Sequence, residues 1–216
     1  MTFICFIGID GSGKTTLAKQ IVKTLTNKGI KVKYTWSRFE PWISKPFIYL
    51  AKIFFLNKDN MNLNYKQYSA TRKNLFKNNI LYSVYLVLTI PDLIIQNIIK
   101  IGIPIMMGRY VVADRYIYDT IVDIAFDRKF DINNIMRLLK ALLYLLPKPQ
   151  IIFLLDVDEE IAFKRKKDIP SLEYIKDRRT LYNTIGKEIR AVKLDGTKNL
   201  LTLESEISNY LENRNN

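Results

Sequence analysis

The chain has 216 residues and a formal net charge of +13 at pH 7, a field that draws polyanions such as nucleotides, nucleic acid or acidic membranes. It has no histidine, which excludes imidazole metal sites and imidazole general bases. Its single cysteine, Cys5, excludes a disulfide framework and points to a reducing, cytoplasmic setting.

Phe3-Ile4-Cys5-Phe6-Ile7 is a continuous apolar run, which predicts a buried parallel strand over about 2–8. No secretory leader is expected, because that strand begins at residue 3. Gly8-Ile9-Asp10-Gly11-Ser12-Gly13-Lys14-Thr15 follows and fits G-x-x-x-x-G-K-[ST]. Glycines let the chain curl until backbone N–H groups point inward at phosphate oxygens. Lys14 reaches the β- and γ-phosphates, and the Thr15 hydroxyl offers Mg²⁺ the oxygen ligand it prefers. The helix begun by Lys14-Thr15-Thr16 turns its positive dipole end to the same anion. The segment predicts a bound purine nucleoside triphosphate with Mg²⁺, and Gly8, Asp10, Gly11, Ser12, Gly13, Lys14, Thr15 and Thr16 are its candidate binding residues.

Leu17, Ile21 and Leu25 keep helical spacing, and Asn27-Lys28-Gly29 closes a helix over about 14–28. Residues 30–36 alternate as a second strand, and 37–46 form a loop holding Arg38, Glu40 and Pro41. A helix over about 47–56, a polar connection over 57–64 and a helix from 65 to about 89 come next, with Pro91 breaking or kinking the last and a further helix running to about 101. Residues 80–107 are the most apolar stretch. They contain Pro91, Asp92, Gln96, Asn97 and Lys100, which are costly in lipid, so the stretch reads as core helices and not as a membrane span.

Tyr110-Val111-Val112-Ala113 is the third strand, ending in Asp114-Arg115-Tyr116. Asp131 can cap a helix whose apolar stripe is Ile132, Ile135, Leu138, Leu139, Leu142 and Leu146, with Pro147 and Pro149 ending it. A fourth strand over 151–155 leads to Asp156 and Asp158. A helix from about Glu159 is interrupted by Lys164-Arg165-Lys166-Lys167 and Ile169-Pro170. A helix over about 171–187, a fifth strand over 191–194 and a last helix over about 199–213 complete the chain. Strands alternating with helices specify an α/β fold with a parallel sheet covered on both faces, and no linker divides residues 1–216.

In such sheets ligands sit beyond the carboxyl ends of the strands. Asp114, after an apolar strand, is placed to meet Mg²⁺ beside a phosphate loop, and Arg115 offers a planar fork for a second phosphate. Read from the residues alone, Asp114-Arg115 can equally be a local ion pair, and Arg38 a solvated loop charge. The basic stretch 164–167, with Arg178-Arg179 beyond it, is either a mobile lid that brings positive charge over a transferring group or an exposed helix face.

Taken in order, Ile-Gly-Ile-Asp-Gly-Ser-Gly-Lys-Thr-Thr, Arg38 with Glu40-Pro41, Val111 to Tyr116, Leu154-Leu155-Asp156-Val157-Asp158 with Arg165, and Leu194-Asp195-Gly196-Thr197 resemble the thymidylate kinase family over nearly the whole chain. The resemblance implies a P-loop NTPase fold of the nucleoside-monophosphate-kinase type, with a five-stranded parallel sheet flanked by helices and a short basic lid at about 164–180. It implies ATP and Mg²⁺ as cofactors, transfer to a deoxynucleoside monophosphate (dTMP to dTDP), and commonly a homodimer. Lys14 and Thr15 would hold the ATP phosphates and Mg²⁺, and Asp114 would help hold the metal directly or through water. Arg38 and Arg115, with Tyr116 beside them, would grip the monophosphate, and Asp10 would sit near the acceptor. Lys14, Arg115, Arg165 and Asp10 are thus the candidate catalytic set, with Arg178 a further residue that could close over the transferred group.

Three features depart from the family pattern. No arginine lies between Lys77 and Gly108, where the family carries one that reads the thymine edge. Ile117-Tyr118-Asp119-Thr120 stands where a small hydroxyl and a glutamine are usual, and the stretch from Arg165 to Arg178 is short. The competing readings are a kinase of the same fold acting on another nucleotide or nucleoside, and an ATP-dependent nucleic-acid-binding or regulatory protein. Nucleic acid is the weaker partner, since no Lys- or Arg-rich tail and no zinc-finger spacing accompanies the charge.

Overall fold

The computed structural model describes residues 3–42, 44–46, 79–128, 131–166 and 168–215. Strand β1 (Phe3–Ile7) is buried at every position, which explains its unbroken apolar sequence: both faces are covered. Its alternate residues feed two cores. Ile4 and Phe6 pack with Leu17, Ile21, Leu203 and Ile207 on one face of the sheet. Phe3, Cys5 and Ile7 pack with Ile117, Ile121, Leu139 and Ile185 on the other.

Five parallel strands are present among the described residues, in the order β2-β3-β1-β4-β5. Besides β1 they are β2 (Val32–Trp36), β3 (Tyr110–Asp114), β4 (Ile151–Asp156) and β5 (Val192–Asp195). The register pairs Phe6 and Trp36 with Asp114, Ile7 with Leu154, and Asp156 with Asp195. That register brings the carboxyl ends of all five strands to one edge, where open parallel sheets bind ligands.

Helix α1 (Lys14–Asn27) starts directly from Gly13, which has a left-handed backbone (φ +92°), and no side chain caps its first N–H groups. At its far end the Ile30 N–H donates to Leu25 O at 3.1 Å, the stop expected from Asn27-Lys28-Gly29. Helix α2 (Asn79–Asn97) runs through Pro91 instead of ending there. Pro91 lies on the exposed side with Val87 (71% exposed), so the carbonyl it fails to engage faces water, while Tyr82 and Leu93 anchor the opposite side in the core. The irregularity comes later, as a π-helical turn over Ile98–Gly102 leading into α3 (Ile103–Met106). The Thr35 hydroxyl of β2 donates to Lys100 O in that turn at 3.2 Å, so the loosened ladder joins the sheet edge.

Tyr82–Met106 is long and apolar enough to cross a membrane by length and composition. Its polar side chains are nonetheless tied to the loop after β2. Asp92 accepts from the Trp42 and Ser44 N–H groups at 2.7 and 3.1 Å, Gln96 donates to Glu40 O at 2.5 Å, and Asn97 accepts from Ser37 at 2.6 Å. The helices expected over 47–56 and from 65 onward, with the connection between them, lie outside the described residues up to Asn79.

Helix α4 (Ile117–Arg128) follows β3, and α5 (Ile132–Leu145) is capped by Asp131, which accepts from Asn133 N at 3.0 Å. After β4, Asp158 caps α6 (Glu159–Arg165) and Ser171 caps α7 (Leu172–Glu188). Helix α8 (Leu200–Asn215) closes the chain against α1.

Candidate active site

The loop between β1 and α1 is fixed by close packing. At Gly11 (φ +84°) a Cβ would lie 2.4 Å from the Ala162 carbonyl of α6, while at Gly13 it would meet nothing within 4 Å among the described residues. One glycine is therefore required by its neighbour, and the other leaves room above the helix start. Lys14 is 4% exposed and curls back, donating to Gly8 O at 2.7 Å, Ile9 O at 2.6 Å and Ser12 Oγ at 3.2 Å. Burial, and then the neighbouring Arg115 charge, pull its ammonium down to about 7 against the opposing pull of Asp119, Asp10 and Asp114.

Thr15 and Asp114 meet at the end of the two central strands. Thr15 Oγ1 donates to Asp114 Oδ2 at 2.5 Å, and the Tyr34 hydroxyl donates to the same oxygen at 3.0 Å. Asp114 is fully buried, and its other oxygen, Oδ1, has no hydrogen-bond partner among the described residues. A buried carboxylate oxygen left open beside a threonine hydroxyl is the donor set a hard cation takes, so these residues fit Mg²⁺.

Arg115 follows with a left-handed backbone (φ +73°), costly for a residue with a side chain. Its guanidinium bonds to Asp10 and, at 3.1 Å, to Asp119 Oδ1. Burial raises the carboxyl of Asp10, but Arg115 and then Lys14 outweigh it and hold the group well below the usual carboxylate range. Lys166 Nζ stands 3.6 Å from the same Asp10 oxygen.

Lys14, Thr15, Arg38, Arg115, Arg165 and Lys166, with Asp10 among them, line a cleft of about 440 Å³, while Asp114 and Asp119 are buried outside its lining. Arg165 Nη1 donates to Gly196 O at 3.0 Å, which ties the start of the basic stretch to the loop after β5. Arg38 also lines a second cavity of about 210 Å³, walled by Phe39, Tyr82, Leu93, Thr120 and Asp123. It stands at the junction of a charged cleft and a more apolar pocket.

The candidate residues Asp10, Gly11, Gly13, Lys14, Thr15, Thr16, Arg38, Arg115 and Arg165 all border the cleft. Two expectations fail. Tyr116 does not face it: the ring is fully buried, packs edge-on against Phe3 at 5.2 Å, and its hydroxyl donates to Pro147 O at 2.8 Å. The left-handed turn at Arg115 sends the next side chain into the core. Arg178 is no lid residue either. It is 4% exposed, pairs with Asp123 at 2.5 Å and lies against the Tyr174 and Tyr182 rings. Arg179 beside it is taken by Asp156 at 2.8 Å, together with Asp158 and Glu159, so the carboxylates at the end of β4 and just beyond it serve that cluster.

Sequence reasoning missed Trp36, 39% exposed on the cleft wall, and the Tyr34 and Asp119 contacts. Asp119 carried a signal, since it stands four residues after Arg115 on a helix entry, the spacing of an ion pair. Tyr34 and Trp36 carried only strand alternation.

A parallel sheet with this strand edge, a phosphate loop feeding a helix and a carboxylate at the end of the adjacent strand define a P-loop nucleotide-binding protein of phosphotransferase type. The family model for thymidylate kinase matches residues 70–208, and the chain belongs to the thymidylate kinase family. It is 30% identical over 217 residues to a probable thymidylate kinase of Methanocaldococcus jannaschii, covering 98% of this chain and 96% of that one. It is 28% identical over 208 residues to thymidylate kinase of Leptospira borgpetersenii, covering 91% and 86%. The crystal structure of thymidylate kinase from Ehrlichia chaffeensis superposes with a TM-score of 0.53 at 20% identity, over 97% of this chain and 98% of that one. The family match begins beyond the phosphate loop, so that motif and the family model are separate lines of support.

Proposed function

We propose that the protein transfers the γ-phosphoryl group of ATP to dTMP, giving ADP and dTDP. The observation that carries this reading is Arg38 standing between two spaces, the cationic cleft at the phosphate loop and the pocket behind it. A nucleoside monophosphate has that shape and charge: an anionic end for Arg38 and Arg115, and a ring for the more apolar pocket. The phosphate loop takes the donor, so the two anions meet end to end.

An acceptor that is already an anion at neutral pH needs no general base, and transfer reduces to positioning and charge stabilisation. Lys14 is released from the loop carbonyls to the donor phosphates. Arg115 exchanges its Asp10 contact for the acceptor phosphate, and Asp10 stays beside it. Arg165 and Lys166 spread positive charge over the transferred group and exclude water. Mg²⁺ would be held by Thr15 and Asp114, with the open Asp114 oxygen supporting that role. Bound there, such an ion would supply charge neutralisation to the donor phosphates.

Residues 1–216 form one such domain in this reading. Its short lid is confined to about 164–170, because Arg178 and Arg179 are locked in ion pairs. A homodimer is part of the proposal, with the exposed Val84, Val87 and Met106 as candidate contact residues, and sedimentation checks it. The functional test is a panel of nucleoside monophosphates and nucleosides with ATP and Mg²⁺. Fastest turnover on dTMP supports the reading; a faster nucleoside or another nucleotide replaces the acceptor.

A further inference from the structure

Arg115 is held by two carboxylates of different kinds. Asp10 belongs to the phosphate loop, borders the cleft and also pairs with Lys166. Asp119 is 1% exposed and sits in the first turn of α4. It takes three donors: Arg115 Nη1 at 3.1 Å and the Tyr182 hydroxyl at 2.6 Å on Oδ1, and the Tyr116 N–H at 3.2 Å on Oδ2. Tyr182 is 1% exposed and stands on α7, one turn before Gly186, where a Cβ would come within 2.7 Å of Leu154 on β4. Helix α7 is therefore seated hard against the sheet, and the hydroxyl it presents to Asp119 is fixed. Four residues away on both helices, Arg178 and Asp123 make a second rung at 2.5 Å. The left-handed backbone of Arg115 is a conformation that persists where surrounding contacts enforce it.

We infer that Asp119, clamped by Tyr182, is a positioning residue for Arg115. Asp10 yields its place on the guanidinium to an incoming phosphate, while Asp119, buried and fully bonded, keeps Nη1 and so keeps the fork aimed at the cleft. The inference rests on the reading in which Arg115 takes the acceptor phosphate.

Tyr182→Phe removes one hydroxyl and leaves the ring in place; Asp119→Asn removes the charge. In both variants the KM for dTMP rises and kcat falls, each by about tenfold, while the KM for ATP stays within about twofold, as expected for loss of hydrogen bonds to a charged group that meets the acceptor alone. A merely structural role would lower the melting temperature and leave that split unmoved. A second arm needs no substrate: the ¹⁵N guanidinium resonances of Arg115 are slow to exchange in the wild type and average in both variants. Wild-type failure on dTMP would remove the functional reading and leave this arm to decide. Tyr182→Phe with unchanged Arg115 exchange, or with wild-type kcat and dTMP KM measured below its melting temperature, overturns the inference.

Discussion

In the proposed reading, anion binding on the phosphate-loop side of the cleft falls to main-chain N–H groups and one lysine. On the side of Arg38 and Arg115 it falls to guanidinium groups whose aim depends on side chains elsewhere. The first side is one run of chain, from Gly8 to Thr16, shaped by Gly8 packed against Leu155 of β4 and Gly11 packed against Ala162 of α6. The second draws on the loop after β2, the end of β3, helix α2 and helix α4. A backbone cradle tolerates changes around it as long as the turn survives, whereas a cradle of side chains moves when any support moves. The donor side should therefore fail by local substitutions, and the acceptor side also by distant ones.

The sharpest way to break this contrast is Lys14→Ala. Turnover should fall by about 10³-fold or more with the circular dichroism spectrum unchanged, because the lysine is the one side-chain cation of the loop. Arg115→Ala should cost about 10²-fold in kcat/KM for dTMP while the affinity for ATP, measured by calorimetry, stays put. Equal losses for both nucleotides would erase the division into two sides. Gly11→Ala should destabilise folding by about 2–4 kcal/mol in urea titration, since its methyl would enter the Ala162 carbonyl. Gly13→Ala, strained in backbone but unopposed, should cost about 1 kcal/mol.

Smaller effects sharpen the same contrast. Burial, and then the Arg115 charge, pull the Lys14 ammonium down to about 7, so the empty site should hold less than a full proton there at pH 8. Bound triphosphate favours the charged form, and ATP binding at pH 8 should take up protons, approaching about one per site. Calorimetry in buffers of different ionisation enthalpy reads this; proton release would contradict it. Tyr34→Phe removes one bond to Asp114 and should raise the Mg²⁺ concentration for half-maximal activity a few-fold, by about 1 kcal/mol.

The same division governs what the sequence disclosed. The phosphate loop was readable because its chemistry needs glycines at fixed spacing, and the central strands β1, β3 and β4 because parallel strands covered on both faces are apolar runs, while edge strand β2 showed itself only by alternation. Asp114 and Arg115 were readable as polar residues at a strand end. Tyr116 was misplaced because a left-handed residue before it reverses the facing of the next side chain, and nothing in Asp-Arg-Tyr announces positive φ at an arginine. Arg178 and Arg179 were read as free charge because their partners lie far away in sequence: Asp123 for one, and Asp156, Asp158 and Glu159 for the other. Pro91 was read as a break or a kink because sequence does not tell which side of a helix meets water.

A crystal structure with a non-hydrolysable ATP analogue, Mg²⁺ and dTMP bound together tests the account most directly. It should place the dTMP phosphate between Arg38 and Arg115, in line with the γ-phosphate at the start of α1. A dTMP phosphate bound away from both arginines, or a base lying in the cleft and a phosphate in the apolar pocket, would contradict it.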